Sequence, residues 1–465
     1  MEYGQKLSVS PTTIPGLLVI TLPVHGDNRG WFKENWQRAK MSELGLPDLG
    51  PVQNNISFNE KAGTTRGIHA EPWDKYVSVA TGRIFGAWVD LRAGDSFGQT
   101  FTLEVDPSVA VYVPRGVGNA FQTLESNTAY TYLVNAHWRA DGEYTFLNLA
   151  DETAAITWPI PLSEVEISAK DAAHPRLAEV KPMAARSTVI LGAGGQLGRA
   201  LTAQFPTAIS LTRDQFDLSN DAAYLSVDWS TVETVINASA YTKVDLAETA
   251  DGRHEAWHAN VMGVGKLARI CEDHRITLVH ISSDYVFDGE FEGEATEETE
   301  FGPLGVYGQT KAAGDALVSL VSRHYIVRTS WVIGDGNNFV RTMQRLAVDG
   351  VNPDVVNDQH GRLTFTSEIA RAIAHLLDHD AAYGTYNVTN SGDVVTWFDI
   401  AREVFALNGH DVDRVSPITA AEFADRNSSD ERPIAPRPRN SALDLGKLRA
   451  TGFEPEDWRT ALTNN

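Results

Sequence analysis

A single cysteine, Cys271, stands among 465 residues, which excludes an intrachain disulfide framework and fits a reducing compartment. No stretch approaches the ~20 apolar residues needed to span a bilayer, and the N-terminus has no basic segment followed by an apolar core. The chain is therefore expected to be cytoplasmic and free of the membrane. Lysine and arginine runs are missing too. The formal charge of −22 repels phosphate backbones over the whole surface and speaks against nucleic acid as a partner. A small phosphate-bearing ligand stays compatible with that balance, provided its anion site is local. Neither half shows a histidine–carboxylate cluster with ligand spacing, so no metal is expected. Internal repeats and low-complexity segments are absent.

What is there is an ordinary globular composition, 42% hydrophobic and 22% charged, long enough for two or three domains with their own cores. From Leu17 to about Trp158, short β-rich runs such as Tyr76-Val-Ser-Val-Ala and Val109-Ala-Val-Tyr-Val are separated by Gly, Pro, Asn or Asp. That pattern predicts an antiparallel barrel or jelly roll. The stretch from Ala172 to Ser187 holds two prolines and little periodic hydrophobicity, and reads as a linker. Beyond it, apolar strands such as Thr188-Val-Ile-Leu and Thr277-Leu-Val-His-Ile alternate with helical patterns, which predicts a doubly wound parallel sheet. The expected domains are residues 1–180 and 187–465.

The first turn of the second domain reads Gly192-Ala-Gly-Gly195-Gln196-Leu197-Gly198, a spacing that lets backbone amides approach a pyrophosphate at a helix N-terminus. Further on, Ser282-Ser283-Asp284 closes an apolar strand, and Tyr307-Gly-Gln-Thr-Lys311 follows. Four-residue spacing on a helix puts Tyr307 and Lys311 on one face. Such a set reduces carbonyls: tyrosine gives the proton, serine holds the oxygen, and lysine favours a strongly donating phenol and grips the cofactor ribose. Chance alone produces Y-x-x-x-K often, but not a glycine turn, a serine strand and a tyrosine helix in this order.

At these residues the second half resembles the dTDP-4-dehydrorhamnose reductases of the extended short-chain dehydrogenase group. The matching stretches are LGAGGQLGRAL, VINASAYTKVDLAE, ISSDYVFDG, YGQTK, IVRTSWVIGDGNNFV and VVNDQHGRLT. The resemblance implies that Ser283, Tyr307 and Lys311 are catalytic and that Ala238 and Ala240 join the glycine turn around the cofactor. It also makes Trp331 and Asn338 candidates for the sugar-nucleotide pocket. Ser283 stands where threonine is usual, and Leu363 where proline is usual. At the end of the second strand, Arg213 suits a 2′-phosphate and Asp217 a free ribose, so NADPH is the expected cofactor, with NADH as the alternative.

The first half contains Asp27-Asn-Arg29-Gly-Trp-Phe32-Lys-Glu34, Gln53-Asn-Asn55, Arg66-Gly-Ile-His69, Val89-Asp-Leu-Arg, and Asp151 before Thr157-Trp-Pro. These are similar to dTDP-4-dehydrorhamnose 3,5-epimerases, which have a cupin-type jelly roll. Epimerisation beside a ketone needs a base on one face of the sugar, an acid on the other, and a cation for the enolate oxygen. The resemblance makes His69 the base, Asp151 its partner, Tyr132 the acid and Lys75 the enolate stabiliser. Arg29, Phe32, Glu34, Gln53, Asn55 and Arg66 are its substrate contacts. Three departures cluster here: the His69-to-Lys75 segment is short, Asn119 replaces a common histidine, and Trp138 replaces a second tyrosine.

A 4-ketone acidifies the protons on the flanking carbons, so the first half would invert centres next to the carbonyl that the second half reduces. The joint expectation is a bifunctional enzyme acting on a dTDP-linked keto-sugar, with two copies pairing through the first domain. Single epimerisation toward a different 6-deoxy-L-sugar, and a non-catalytic nucleotide-binding regulator, are the alternatives.

Overall fold

The computed structural model of the chain describes residues 3–140, 142–429 and 433–464. It divides into two compact units, Met1–Ala185 and Arg186–Asn465.

In the first unit, period-two alternation builds two antiparallel sheets. One carries six strands in the order Ser8–Pro11, Leu18–Thr21, Val109–Val113, Lys75–Thr81, Thr128–Val134 and Gln53–Asn59. The other carries five, in the order Thr145–Phe146, Thr65–Ala70, Val117–Thr123, Ile84–Asp90 and Thr100–Val105. Val77, Val79 and Val111 of the first pack against Ile84, Trp88 and Phe121 of the second, so the two inner faces share a dry core. The edge strand Gln53–Asn59 inverts the rule: Ile56 and Phe58 point to solvent while Gln53, Asn55 and Ser57 are half-buried.

The expected linker is not one. Leu177, Val180 and Met183 are buried with Ile68, Ala87 and Val89 of the five-stranded sheet, and the Met183 carbonyl accepts from the Ala93 amide at 2.9 Å. Burying each such side chain contributes about 1.5–3 kcal/mol. The prolines that suggested a loop leave the backbone irregular, yet three spaced apolar residues are enough to fasten it.

The second unit is built on a six-stranded sheet in the order Ile209–Leu211, Ser187–Leu191, Val232–Asn237, Thr277–Ser283, His324–Thr329 and Gly384–Asn387. All five pairings are parallel. Val189 and Leu191 enter one core cluster and Ile190 another, which explains the unbroken apolar runs: both faces are covered. Cys271 is fully buried in the first of these clusters, where desolvation pushes its thiol up and leaves it inert. A third cluster joins the helices Phe339–Val348 and Trp397–Leu407 with Trp458. The first strand has its successor on one side and the third strand on the other, so the crevice at its C-terminal end is a topological switch point. Among the described residues, no helix is long and apolar enough to cross a membrane.

Candidate active sites

At that switch point lies a cavity of about 840 Å3. Gly192 holds φ +81° and a Cβ there would sit 2.8 Å from the Ser239 amide nitrogen, while a Cβ on Gly198 would sit 2.1 Å from the Gly192 carbonyl oxygen. The turn is thus closed to side chains. Gly195 begins the helix Gln196–Gln204 without any side-chain cap, which leaves the first helical amides free for an anion. Gly192, Gly195, Gln196, Leu197, Gly198, Ala238 and Ala240 all line the cavity, as do Arg213 and Asp217. These last two pair with each other at 3.2 Å, with Arg213 largely in solvent.

Gly195 has protein neighbours no nearer than 3.4 Å from an added Cβ. Gly195→Val is therefore expected to fold and to fill the space facing the cavity. Its dinucleotide affinity, measured by fluorescence titration, should fall by at least about tenfold, the equivalent of one lost charge-assisted hydrogen bond. Unchanged affinity would remove the turn from the cofactor site.

Three side chains with reactive character meet in the same cavity. Ser283 ends the strand Thr277–Ser283, and Tyr307 and Lys311 lie one turn apart on the helix Val306–Val318. Ser283 Oγ donates to Asp284 Oδ1 at 2.8 Å. Lys311 Nζ donates to the Ile281 carbonyl at 2.6 Å and lies 3.3 Å from His280 Nε2. The His280 Nδ1 is 3.1 Å from Asn237 Nδ2. Burial pushes the Tyr307 phenol up, so it holds its proton at neutral pH. Burial also pulls Lys311 down to about 8 and lifts Asp284 to about 6. Asn260 braces the set. Its amide donates to Thr310 Oγ1 at 3.0 Å and to the Tyr241 carbonyl at 3.2 Å, tying the tyrosine helix to the cavity loop.

His280, Asp284 and Asn260 escaped the sequence reading. Asp284 was legible as the neighbour of Ser283 in ISSDYVFDG, whereas nothing around Asn260 announces its reach to Thr310. Trp331 lines the cavity and stacks on Trp397 with centroids 3.9 Å apart. Asn338 is not among the residues that line the cavity. Its Oδ1 accepts from the Arg341 amide at 3.0 Å, and its Nδ2 donates to the Gly334 carbonyl at 2.7 Å. Those commitments make it the N-cap of Phe339–Val348, a position asparagine favours because it satisfies an orphan amide.

The first unit holds a smaller cavity of about 200 Å3, lined by Arg66, His69, Glu71, Lys75, Asn119, Tyr130 and Tyr132 among others. Neighbouring strands deliver them: His69 pairs in register with Asn119, and Tyr132 with Val77 two residues from Lys75. Lys75 pairs with Glu71 and stands over the Tyr132 ring at 5.8 Å. Burial pulls Lys75 down to about 7 and holds the Tyr132 phenol above its usual range. Asn119 Nδ2 donates to the Tyr130 hydroxyl at 3.1 Å, and Arg66 Nε to Asn59 Oδ1 at 3.2 Å.

The partner of His69 is Asp171, not Asp151. His69 Nε2 lies 2.9 Å from Asp171 Oδ1. Asp151 instead accepts backbone N–H groups from Thr153, Ala154 and Leu177 at 2.8–2.9 Å, which lowers its pKa against the opposing effect of burial. Asp171 stands one residue before the stretch expected to be a linker and was not singled out, although Ser168, whose side chain accepts from the Asp171 amide, forms the S-x-x-D pattern of a helix start. Burial keeps His69 below the ordinary histidine value despite Asp171, and a neutral imidazole is the form that accepts a proton. The same fold brings His174 to Asp171. The three ligand atoms of His69, Asp171 and His174 lie within 4.8 Å of one another, contrary to the expectation that no such cluster exists.

Asp171→Asn should accordingly slow solvent deuterium exchange into the sugar by about 10²-fold through misorientation of the imidazole. Asp151→Asn should leave exchange alone and cost about 1–3 kcal/mol of stability in urea unfolding. The reverse pattern would restore the first assignment.

Other substrate candidates lie outside the cavity lining. Gln53 Nε2 donates to Asn55 Oδ1 at 2.9 Å. Arg29 pairs with Asp27 and Glu34 with Lys40 in a solvent-exposed hairpin region where Phe32 is 66% exposed. Trp138 is exposed too.

Residues 186–465 match the family model described as RmlD substrate binding domain, and residues 11–179 the model described as dTDP-4-dehydrorhamnose 3,5-epimerase. The chain is 50% identical over 177 residues to "Protein RmlC homolog" of Streptococcus pyogenes, covering 37% of this chain and 89% of that protein. It is 37% identical over 292 residues to a dTDP-4-dehydrorhamnose reductase of Aggregatibacter actinomycetemcomitans, covering 59% and 97%. Among solved structures, a dTDP-4-dehydrorhamnose reductase from Bacillus anthracis in complex with NADP superposes with TM-score 0.55 at 32% identity, covering 60% of this chain and 98% of that one.

Proposed function

Because the chain belongs to the RmlD family through residues 186–465 and to the dTDP-4-dehydrorhamnose 3,5-epimerase family through residues 11–179, we propose that it carries out two consecutive steps of dTDP-L-rhamnose synthesis. It epimerises dTDP-4-keto-6-deoxyglucose at carbons 3 and 5, and then reduces the 4-ketone with NADPH. The carrying observation is that a complete set of groups for each step converges in a separate cavity: base, acid and cation in one, phenol, hydroxyl and ammonium in the other.

In the first cavity Asp171 accepts from His69 Nε2–H, which leaves the Nδ1 lone pair to take the proton beside the ketone. Lys75 stabilises the enolate oxygen, and Tyr132, protonated because buried, returns a proton from the other side. In the second cavity the open start of Gln196–Gln204 would hold the pyrophosphate, Lys311 the ribose, and Arg213 a 2′-phosphate; a Cβ at Gly192 or Gly198 would strike backbone and undo the turn that presents those amides. NADPH, when bound, supplies the hydride. Tyr307 donates the proton to the ketone oxygen, and the Ser283 hydroxyl turns its own proton from Asp284 Oδ1, 2.8 Å away, to that oxygen to hold it in place.

The two folds follow the jelly-roll and short-chain dehydrogenase plans, and the outward row of Ile56 and Phe58 on an edge strand suits pairing of two chains through the first unit. Size-exclusion chromatography with light scattering reads that directly. For the activity, incubation with dTDP-4-keto-6-deoxyglucose and NADPH in D2O should yield dTDP-L-rhamnose labelled at carbons 3 and 5, read by NMR. Label at one carbon alone would favour single epimerisation, the reading supported by Asn119 in place of the family's histidine. Absence of NADPH oxidation would reject the enzyme.

A further inference from the structure

His174 has no place in the epimerase chemistry, yet it is built into the wall behind the base. Its side chain is 5% exposed, its ring stacks on Phe146 at 4.8 Å, and it meets the His69 ring edge-on at 5.3 Å. The carbonyls of Gly67 and Leu147 lie near it, and neither ring nitrogen has a well-formed hydrogen bond. An imidazole so buried with unused nitrogens costs free energy unless something takes them up. The group that faces it is Asp171, whose Oδ1 is 3.8 Å from His174 Nε2 and 2.9 Å from His69 Nε2.

We infer that His69, Asp171 and His174 form a binding site for a divalent transition metal of the zinc class, and that its occupation switches the epimerase off. Zinc takes nitrogen at about 2.0–2.1 Å and carboxylate oxygen at about 2.0–2.2 Å, which puts ligand atoms of a tetrahedral site about 3.3 Å apart. The two separations, 2.9 and 3.8 Å, bracket that distance, so small side-chain rotations suffice. Two imidazoles and one carboxylate favour zinc, copper, nickel or cobalt over magnesium, which prefers oxygen alone. His69, 34% exposed at its side chain, is the way in from the cavity.

The switch rests on the reading of His69 as base. A neutral imidazole carries one ring proton. With the metal on Nε2, in place of the hydrogen bond to Asp171, that proton sits on Nδ1, and the nitrogen left for the sugar is a donor with no lone pair to accept. Asp171 is at the same time withdrawn from its orienting role into coordination. No bond to the sugar is made or broken by the metal.

The test uses the full-length, tag-free, metal-free chain, with Co2+ as the spectroscopic probe, Zn2+ as the inhibitor and Mg2+ as the control. Visible absorption of the cobalt form should show a low-coordinate band in wild type that is missing in His174→Gln and His174→Phe. Stacked histidine pairs elsewhere, His254 with His258 and His375 with His379, are common to all three proteins and cancel in the difference. Zn2+ should stop deuterium exchange in wild type, reversibly with EDTA, and Mg2+ should not. Without metal, His174→Gln should exchange as wild type does. It should need a zinc concentration higher by more than the about 10–100-fold that losing an outer-shell partner costs. Equal zinc sensitivity in wild type and His174→Gln, or identical cobalt spectra, would overturn the site. Should both variants lack exchange without metal, the cobalt difference alone decides. Failure of metal-free wild type to exchange would instead remove the proposed base, while the cobalt band still reports binding.

Discussion

Tyr307→Phe should bind NADPH as wild type does and lose turnover of the pre-epimerised ketone by about 10²-fold to 10⁴-fold, the usual worth of a positioned general acid. The phenol is buried beside Ser283, with its ring edge-on to Tyr285 at 5.4 Å, and phenylalanine preserves that packing while deleting the oxygen. The loss therefore belongs in kcat, because a proton needed only in the transition state contributes nothing to ground-state affinity. Lys311 keeps its bond to the Ile281 carbonyl in the variant, so the cofactor grip survives. Stopped-flow and steady-state measurements of NADPH oxidation separate the two effects. Wild-type turnover would remove Tyr307 from the reaction.

The second large effect concerns the division of labour. His69→Ala should abolish deuterium incorporation at carbons 3 and 5 and leave reduction of pre-epimerised ketone intact, since proton abstraction needs a base within hydrogen-bond reach and hydride transfer uses a separate cavity. Loss should reach the about 10²–10⁴-fold range of a general base. Removing the imidazole leaves the Asp171 carboxylate with the Gly67 amide at 3.3 Å, so His69→Gln, whose amide still donates to Asp171, guards against misfolding. Conversely, Tyr307→Phe should continue to exchange deuterium. If His69→Gln exchanged at the wild-type rate, or lost reduction while folded, the two-cavity scheme would be abandoned.

What the sequence alone determined is the placement of groups that depends on local order along the chain. The glycine turn, the serine-ended strand and the tyrosine helix are each contained in one strand–turn–helix unit, where spacing dictates geometry, and all three meet at the switch point. The alternation of strands and helices likewise implied the parallel sheet. In the first unit, Lys75 and Tyr132 sit on paired strands of the six-stranded sheet and His69 on the five-stranded sheet, and the family resemblance names all three because its motifs carry them.

Tertiary structure decided whatever rests on contacts between distant segments. The choice of Asp171 over Asp151 is a matter of where a chain of weak periodicity folds back: residues 172–187 are fastened by Leu177, Val180 and Met183 onto a sheet formed a hundred residues earlier. That docking delivers both Asp171 and His174 to His69, across separations of 102 and 105 residues, 171 − 69 and 174 − 69. Asn338 and Asn260 make the same point from opposite sides. One is an asparagine beside a conspicuous motif whose side chain the backbone consumes as a cap. The other lies in no motif and braces the helix Val306–Val318 through Thr310. Spacing fixes neighbours within one helix or strand, because backbone hydrogen bonds leave little freedom there. Which distant side chain arrives beside them is set by the burial of apolar surface, which is non-directional and leaves no local signature in the sequence.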